Sequence, residues 1–186
     1  MQYRYIDDEI KYIGSQLAPH WIYKNFHIIS DAIVAFCGEA DVNLSEMVDI
    51  EDVIDNAPIY SPKMLHFIVE KFNTPLLEGV YEQRLLVTTA KEVLEEMTSH
   101  KVIRNGDDLF FNGKKLSVSI ATCSFNSVLI HFAMNITTEN TPIPTSGLIS
   151  DMGVDNVKKL AENILIRYTE EIEDIKIASC KVRGVA

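Results

Sequence analysis

The sequence has 186 residues, 47% of them apolar, and a formal net charge of −10 from 27 acidic and 17 basic side chains. A chain of this length buries roughly 70% of the surface it exposes when unfolded, so a core needs no disulfide or metal staples. The acidity repels a phosphate backbone, and no Lys/Arg cluster offsets it, which argues against nucleic acid as a partner.

Cys37, Cys123 and Cys180 are odd in number and widely spaced. That pattern fits a reducing cytosol, not a disulfide framework or a CxxC metal site. The longest apolar run, Ala32 to Cys37, is too short to span a bilayer, and no basic leader with an apolar stretch opens the sequence. A cytoplasmic protein with no membrane partner is expected, as one α+β domain over residues 1–186 without linker or repeat.

Taken in chain order, Tyr3–Ile6 and Ile10–Ile13 alternate across Asp7-Asp8-Glu9 and predict an opening hairpin. Asp31–Cys37 is a β-branched strand ended by Gly38. Ser61-Pro62 reads as a helix start followed by Leu65, Ile68, Val69 and Phe72 at helical spacing, and Thr74-Pro75 repeats the signal before Leu76, Leu77 and Val80. Val87-Thr88-Thr89 should interrupt this second helix before a piece carrying Val93, Leu94 and Met97. Asn112-Gly113 tolerates the positive φ of a type I′ turn, so Leu109–Phe111, Lys115–Thr122 and Ser127–Thr137 form a predicted three-stranded antiparallel meander. After a loop from Thr138 to Asp151, Val157, Leu160, Ala161, Ile164, Leu165 and Tyr168 make one apolar helical stripe.

At the meander the sequence resembles the biotin and lipoate protein ligases. Asp107-Asp108-Leu109, the strand, Asn112-Gly113-Lys114-Lys115-Leu116, and Ile130-His131-Phe132-Ala133-Met134-Asn135-Ile136 follow their pattern. The resemblance implies a mixed, mainly antiparallel sheet with flanking helices, as in those ligases and the class II synthetases. It also implies Asp108 as the motif aspartate, Lys115 as the lysine contacting acyl group and nucleotide, and Asn135 near the phosphates. The lipoyl (octanoyl) transferases are similar to it as well, and place Ser146 where their nucleophilic cysteine stands. The whole chain resembles an archaeal and bacterial family catalogued as domain of unknown function 366, through Gly14-Ser15-Gln16-Leu17, Asp31–Gly38, Met64–Phe67, Gln83–Leu86 and Gly106–Ala121. The sequence departs from the ligase pattern at Val118, behind Ser117, where ligases carry glycine. ATP with Mg²⁺ is the cofactor the ligases imply, yet the N-terminal half offers only Gly38-Glu39-Ala40-Asp41 where a Gly/Arg-rich phosphate loop would be.

These residues suggest a chemistry. A lysine aimed at a carbonyl or phosphoryl oxygen stabilises the developing oxyanion of acyl transfer, a contribution of about 3–4 kcal/mol per donor. Lys115 is the candidate for that role. A hydroxyl at Ser146 needs a base, for which His131 is the nearest candidate. Ligand contacts are expected from Asp108, Asn135 and Ser117, from Arg84 through its bidentate fork, and from Gln16 and Trp21 lining the same cleft. Each has a plainer reading: Lys115 as a solvated strand lysine, Ser146 as a loop hydroxyl and His131 as a hydrogen-bonded core histidine. His66 and Glu70 lie at the spacing of a helical metal pair but lack a third ligand, and Asp49, Glu51, Asp52 and Asp55 read as a solvated acidic segment, so no metal site is assigned. Two readings stay open. One is a ligase or acyltransferase acting on a small carboxylic acid or acyl group; the other is a non-catalytic ligand-binding or interaction protein on the same scaffold. An exposed edge strand could support a homodimer.

Overall fold

The computed structural model describes residues 1–139, 141 and 143–185. In chain order the elements are β1 (Gln2–Tyr5), α1 (Trp21–Phe26), β2 (Ala32–Val42), α2 (Ile50–Ile54), β3 (Ile59–Phe72), α3 (Leu76–Thr98), β4 (Ile103–Asn105), β5 (Asp108–Phe111), β6 (Lys114–Lys115), β7 (Ser117–Cys123), β8 (Ser127–Asn135) and α4 (Val157–Cys180). Five strands form the main sheet in the order β1-β2-β3-β8-β7, and β4-β5-β6 form a small second one. Among the named strands of the described residues β1 and β2 pair in parallel and the other pairings are antiparallel, as expected for an α+β architecture.

The sheet has two unequal faces. Alternate residues Leu65, Phe67, Val69, Ile130, Phe132 and Met134 meet the apolar stripes of α3 and α4 in the main core. The opposite face carries Phe36, Met64, His66, Ile68, His131 and Asn135. It is covered by a smaller cluster in which Tyr12 and Ile22 pack on Val34, Phe36 and Ile68. The α4 stripe predicted from sequence is the observed one, with Leu160, Ala161, Ile164, Leu165 and Tyr168 buried and the Asn156 side chain accepting from the Lys159 amide at the start.

Several sequence expectations are corrected. The segment predicted as a helix after Ser61-Pro62 is the 14-residue central strand β3. Met64–Val69 is buried on both faces, so its apolar residues are continuous and a helical period can be picked from them without meaning. Pro62 fits because the β2–β3 register shifts between Gly38 and Ala40, where Pro62 makes no ladder pair. Helix α3 runs unbroken through Val87-Thr88-Thr89: the Thr88 hydroxyl donates to the Arg84 carbonyl, and Val87 and Thr89 are buried against the core.

The opening hairpin is absent as well. Tyr3 pairs in parallel with Ile33, and the amides of Ile10 and Tyr12 donate to the carbonyls of Cys37 and Glu39. Both segments thus follow the same edge of β2 in one direction, and Asp7-Asp8-Glu9 is an outward bulge between them. The meander is split at Leu116. Asn112 and Gly113 do take the predicted left-handed turn, at φ 49° and 75°, between β5 and β6. However, β7 and β8 pair in the main sheet.

Candidate functional site

The β5–β6 turn sets Lys115 against Asp108, with Nζ 2.9 Å from Oδ2 and both side chains about one-third exposed or less. Burial raises the Asp108 carboxyl above its ordinary value, opposed by the Lys115 ammonium beside it. Asp52 of α2 lies within electrostatic reach of both. Its own carboxyl is raised by burial and by neighbouring Asp49, while Lys115 pulls it down. The Lys115 ammonium is therefore ion-paired with Asp108 and acts on Asp52 at longer range.

Asn135 ends β8 beside this corner. Its amide N–H donates to the Leu116 carbonyl, and its side-chain Oδ1 accepts from Ser61 Oγ at 2.9 Å. Lys115 also forms a parallel bridge with Thr145, so the 143–151 loop closes one side. Asp108, Lys115 and Asn135 are thereby brought to one end of the sheet.

Other candidates point elsewhere. Ser146 is buried and its hydroxyl donates to the Phe111 carbonyl at 2.8 Å, whereas His131 pairs with His66; the two make no mutual hydrogen bond. Ser117 is fully buried and accepts from the Leu109 amide, stitching β5 to β7. Arg84 lies 3.4 Å from Asp107, on the helix side of the sheet, where Gln83 also bonds Asp107 and Ser119. Gln16 accepts from Ile13 and donates to Lys11, both within its own loop, and Trp21 packs on Phe26 and Phe36.

A constellation that sequence reasoning set aside lies on the covered face. His66 Nδ1 is 3.1 Å from His131 Nε2, and His66 Nε2 is 3.2 Å from the Gly38 carbonyl. Tyr12 stacks on His131 with ring centroids 3.8 Å apart and planes 11° apart. Burial lowers the imidazole of His66 to about 4, with the Gly38 carbonyl opposing, and burial holds His131 well below its ordinary range. Both rings are therefore neutral near pH 7. The helix that would have set His66 and Glu70 at metal-pair spacing on a surface is instead the buried strand β3. Glu70 accepts from the His20 amide and Ser127 Oγ.

The residues do not fit a nucleotide triphosphate. The Gly38–Asp41 segment has Ile10's carbonyl lying over Gly38, and Glu39 and Asp41 flank Lys11. Among the described residues no group of three His, Cys, Asp or Glu side chains is placed to hold a metal ion. No step through ATP is derived. Surface cavities of about 290 and 310 Å³ lie at the end of α4 and between β1 and α4, and neither is lined by Lys115. No helix among the described residues is long and apolar enough to cross a membrane.

Comparison with known proteins places the fold and the family. A solved protein of unknown function from Pyrococcus horikoshi is 35% identical and superposes with TM-score 0.91 over 100% of this chain and 99% of its own. The biotin protein ligase of Aquifex aeolicus, solved with biotin and ATP, is 14% identical with TM-score 0.62 over 93% of this chain and 72% of its own. A T. acidophilum protein proposed to be a lipoate protein ligase, solved with lipoic acid, is 14% identical with TM-score 0.57 over 94% and 87%. The fold is that of the biotin and lipoate ligases, and the chain itself belongs to the family described as Domain of unknown function (DUF366), whose profile matches residues 1–183.

Proposed function

We propose that this chain binds a small carboxylic acid, or its activated acyl derivative, at the end of the sheet marked by Lys115, Asp108 and Asn135, and transfers the acyl group of that derivative to an acceptor nucleophile, the thiol or other activating group leaving with the bonding electrons. The observation that carries the reading is the half-buried Lys115–Asp108 pair, held by a tight turn on a scaffold otherwise seen with biotin and lipoic acid bound. Lys115 would meet the acyl oxygen, and Asp108 would release it as the ligand's own negative charge arrives. Asn135 would supply an amide to the same oxygen or its neighbour.

One observation favours the other reading, a binding protein without catalysis. Lys115 is already neutralised by acidic neighbours, and the segment facing it is acidic where a phosphate cradle would be basic. Calorimetric titration with octanoate, lipoic acid, biotin and an octanoyl thioester, alongside a thioester-cleavage assay, separates these readings. Saturable heat with acyl release supports transfer, and heat without release supports binding alone. Heat from none of the four would overturn the acid-binding proposal.

A further inference from the structure

Helix α4 runs on past the core that supports it. Its buried stripe ends at Ile172, and residues 173–180, two further turns, include no buried side chain. A helix this short is marginal in water by itself, because most helical stability in proteins comes from packing one face. The tail carries a stripe of its own. Glu173, Lys176, Ile177, Cys180 and Lys181 recur at three- and four-residue spacing around the surface hollow of about 290 Å³, with Ile177 at the centre and 53% exposed. At 3.6 residues per turn this stripe points away from the side of α4 on which Leu165, Tyr168 and Ile172 are buried.

Charge along the same tail is divided in two. Glu170, Glu171, Glu173 and Asp174 come first, and Lys176, Lys181 and Arg183 follow. Among the described residues the salt bridges of the chain all lie elsewhere, so these seven charges have no ion partner within it. A segment with an acidic half and a basic half complements itself only when reversed. Turned end for end about Ile177, a second copy brings its Lys181 opposite Glu173 and its Arg183 opposite Glu171, and symmetry makes each pair twice. A parallel alignment would set acid against acid. The reversed alignment also sends the two domains off in opposite directions, because each α4 enters the tail from its own core.

We propose that the 170–183 tail is a self-association surface, on which two copies of this chain pair antiparallel with their Ile177 side chains packed together at the two-fold axis. Glu173 to Lys181 and Glu171 to Arg183 are the ion pairs between copies that fix the register. Two turns per copy bury less than the roughly 800 Å² per partner of a standard interface, so the dimer is weak and reversible. The inference is independent of the acid-binding reading.

Sedimentation velocity of the full chain at physiological salt, from about 5 to about 500 µM, tests this. The parent should pass from monomer toward dimer over that span. Ile177→Asp should stay monomeric while keeping its melting temperature, since the side chain is exposed and lies beyond the core. Glu173→Lys and Lys181→Glu should each weaken association by about tenfold, because each brings like charges together on both sides of the axis. The combined Glu173→Lys/Lys181→Glu protein has the same pairs reversed, and should recover the parent dissociation constant to within about threefold. A parent that is monomeric at every concentration would overturn the proposal. So would a dimer that Ile177→Asp leaves intact, since it would belong to another surface such as the edge strand β1. Failure of the combined variant to recover would overturn the antiparallel register.

Discussion

The Ile10 carbonyl oxygen lies 1.9 Å from the point where a Cβ on Gly38 would stand. This close approach lets the N-terminal segment run along β2 and carry Tyr12 over the histidine pair. Backbone cannot yield as a flexible side chain does, so Gly38→Ala should lower stability by about 1–3 kcal/mol. At this chain length that is a fall of several degrees in Tm, since 1 kcal/mol corresponds to about 2–4 °C. A melt superimposable on the parent would mean that the segment is not anchored at Gly38.

Lys115 offers the opposite case. Its ion pair with Asp108 is partly solvated, so its net contribution to folding is small, within about 1 kcal/mol. Lys115→Ala is therefore expected to leave Tm nearly unchanged while abolishing heat on titration with carboxylic acids. A large loss of stability would assign the lysine to the fold.

Where the fold could be read from sequence, the signal was local. Asn112-Gly113 specifies its turn through backbone freedom, and the α4 stripe through its period of 3.6. β3 was illegible for a physical reason: a central strand covered on both faces has no alternation to read. The same misreading placed His66 beside Glu70 on an imagined helix, whereas β3 sets His66 against His131, 65 residues away. Lys115 and Asp108 meet because the Asn112-Gly113 turn folds β6 back on β5, and the Asn135 backbone is tied to the neighbouring Leu116. Ser146 and Ser117 carry hydroxyls whose partners, the Phe111 carbonyl and Leu109 amide, are backbone atoms that no pattern of residue types announces.

The buried histidines predict an acid limb. Burial holds His66 down to about 4 and His131 well below its usual range, whereas in the unfolded chain each titrates near 6.5. Above that value both states are neutral and the contribution is fully present. As pH falls below about 6.5, the unfolded chain takes protons that the folded one refuses, so stability drops by up to about 1.4 kcal/mol per pH unit for each ring until the folded value is reached. Denaturant midpoints between pH 7 and 5 should fall less steeply in His66→Leu/His131→Leu, each protein being referred to its own value at pH 7. Equal slopes would show that the rings already take protons in the fold.

Gly79 reports how closely α3 lies on the sheet. A Cβ there would stand 2.3 Å from Val128 Cγ1, on a valine that is fully buried in β8. Helix propensity alone favours alanine over glycine by about 1 kcal/mol, so at an exposed position Gly79→Ala would stabilise. At this contact the helix must lift or Val128 must leave its rotamer, at a cost of about 1–3 kcal/mol, and the net effect should be a loss. Val128→Ala alone removes two methyl groups from the core and should also destabilise. Combined, each change relieves the defect of the other: the new methyl fills part of the space that the valine vacates. The double variant should therefore be more stable than the sum of the single losses by at least about 1 kcal/mol, measured by urea denaturation as a double-mutant cycle. Strict additivity would mean that the helix lifts freely and that its seating on β8 is not set by Gly79.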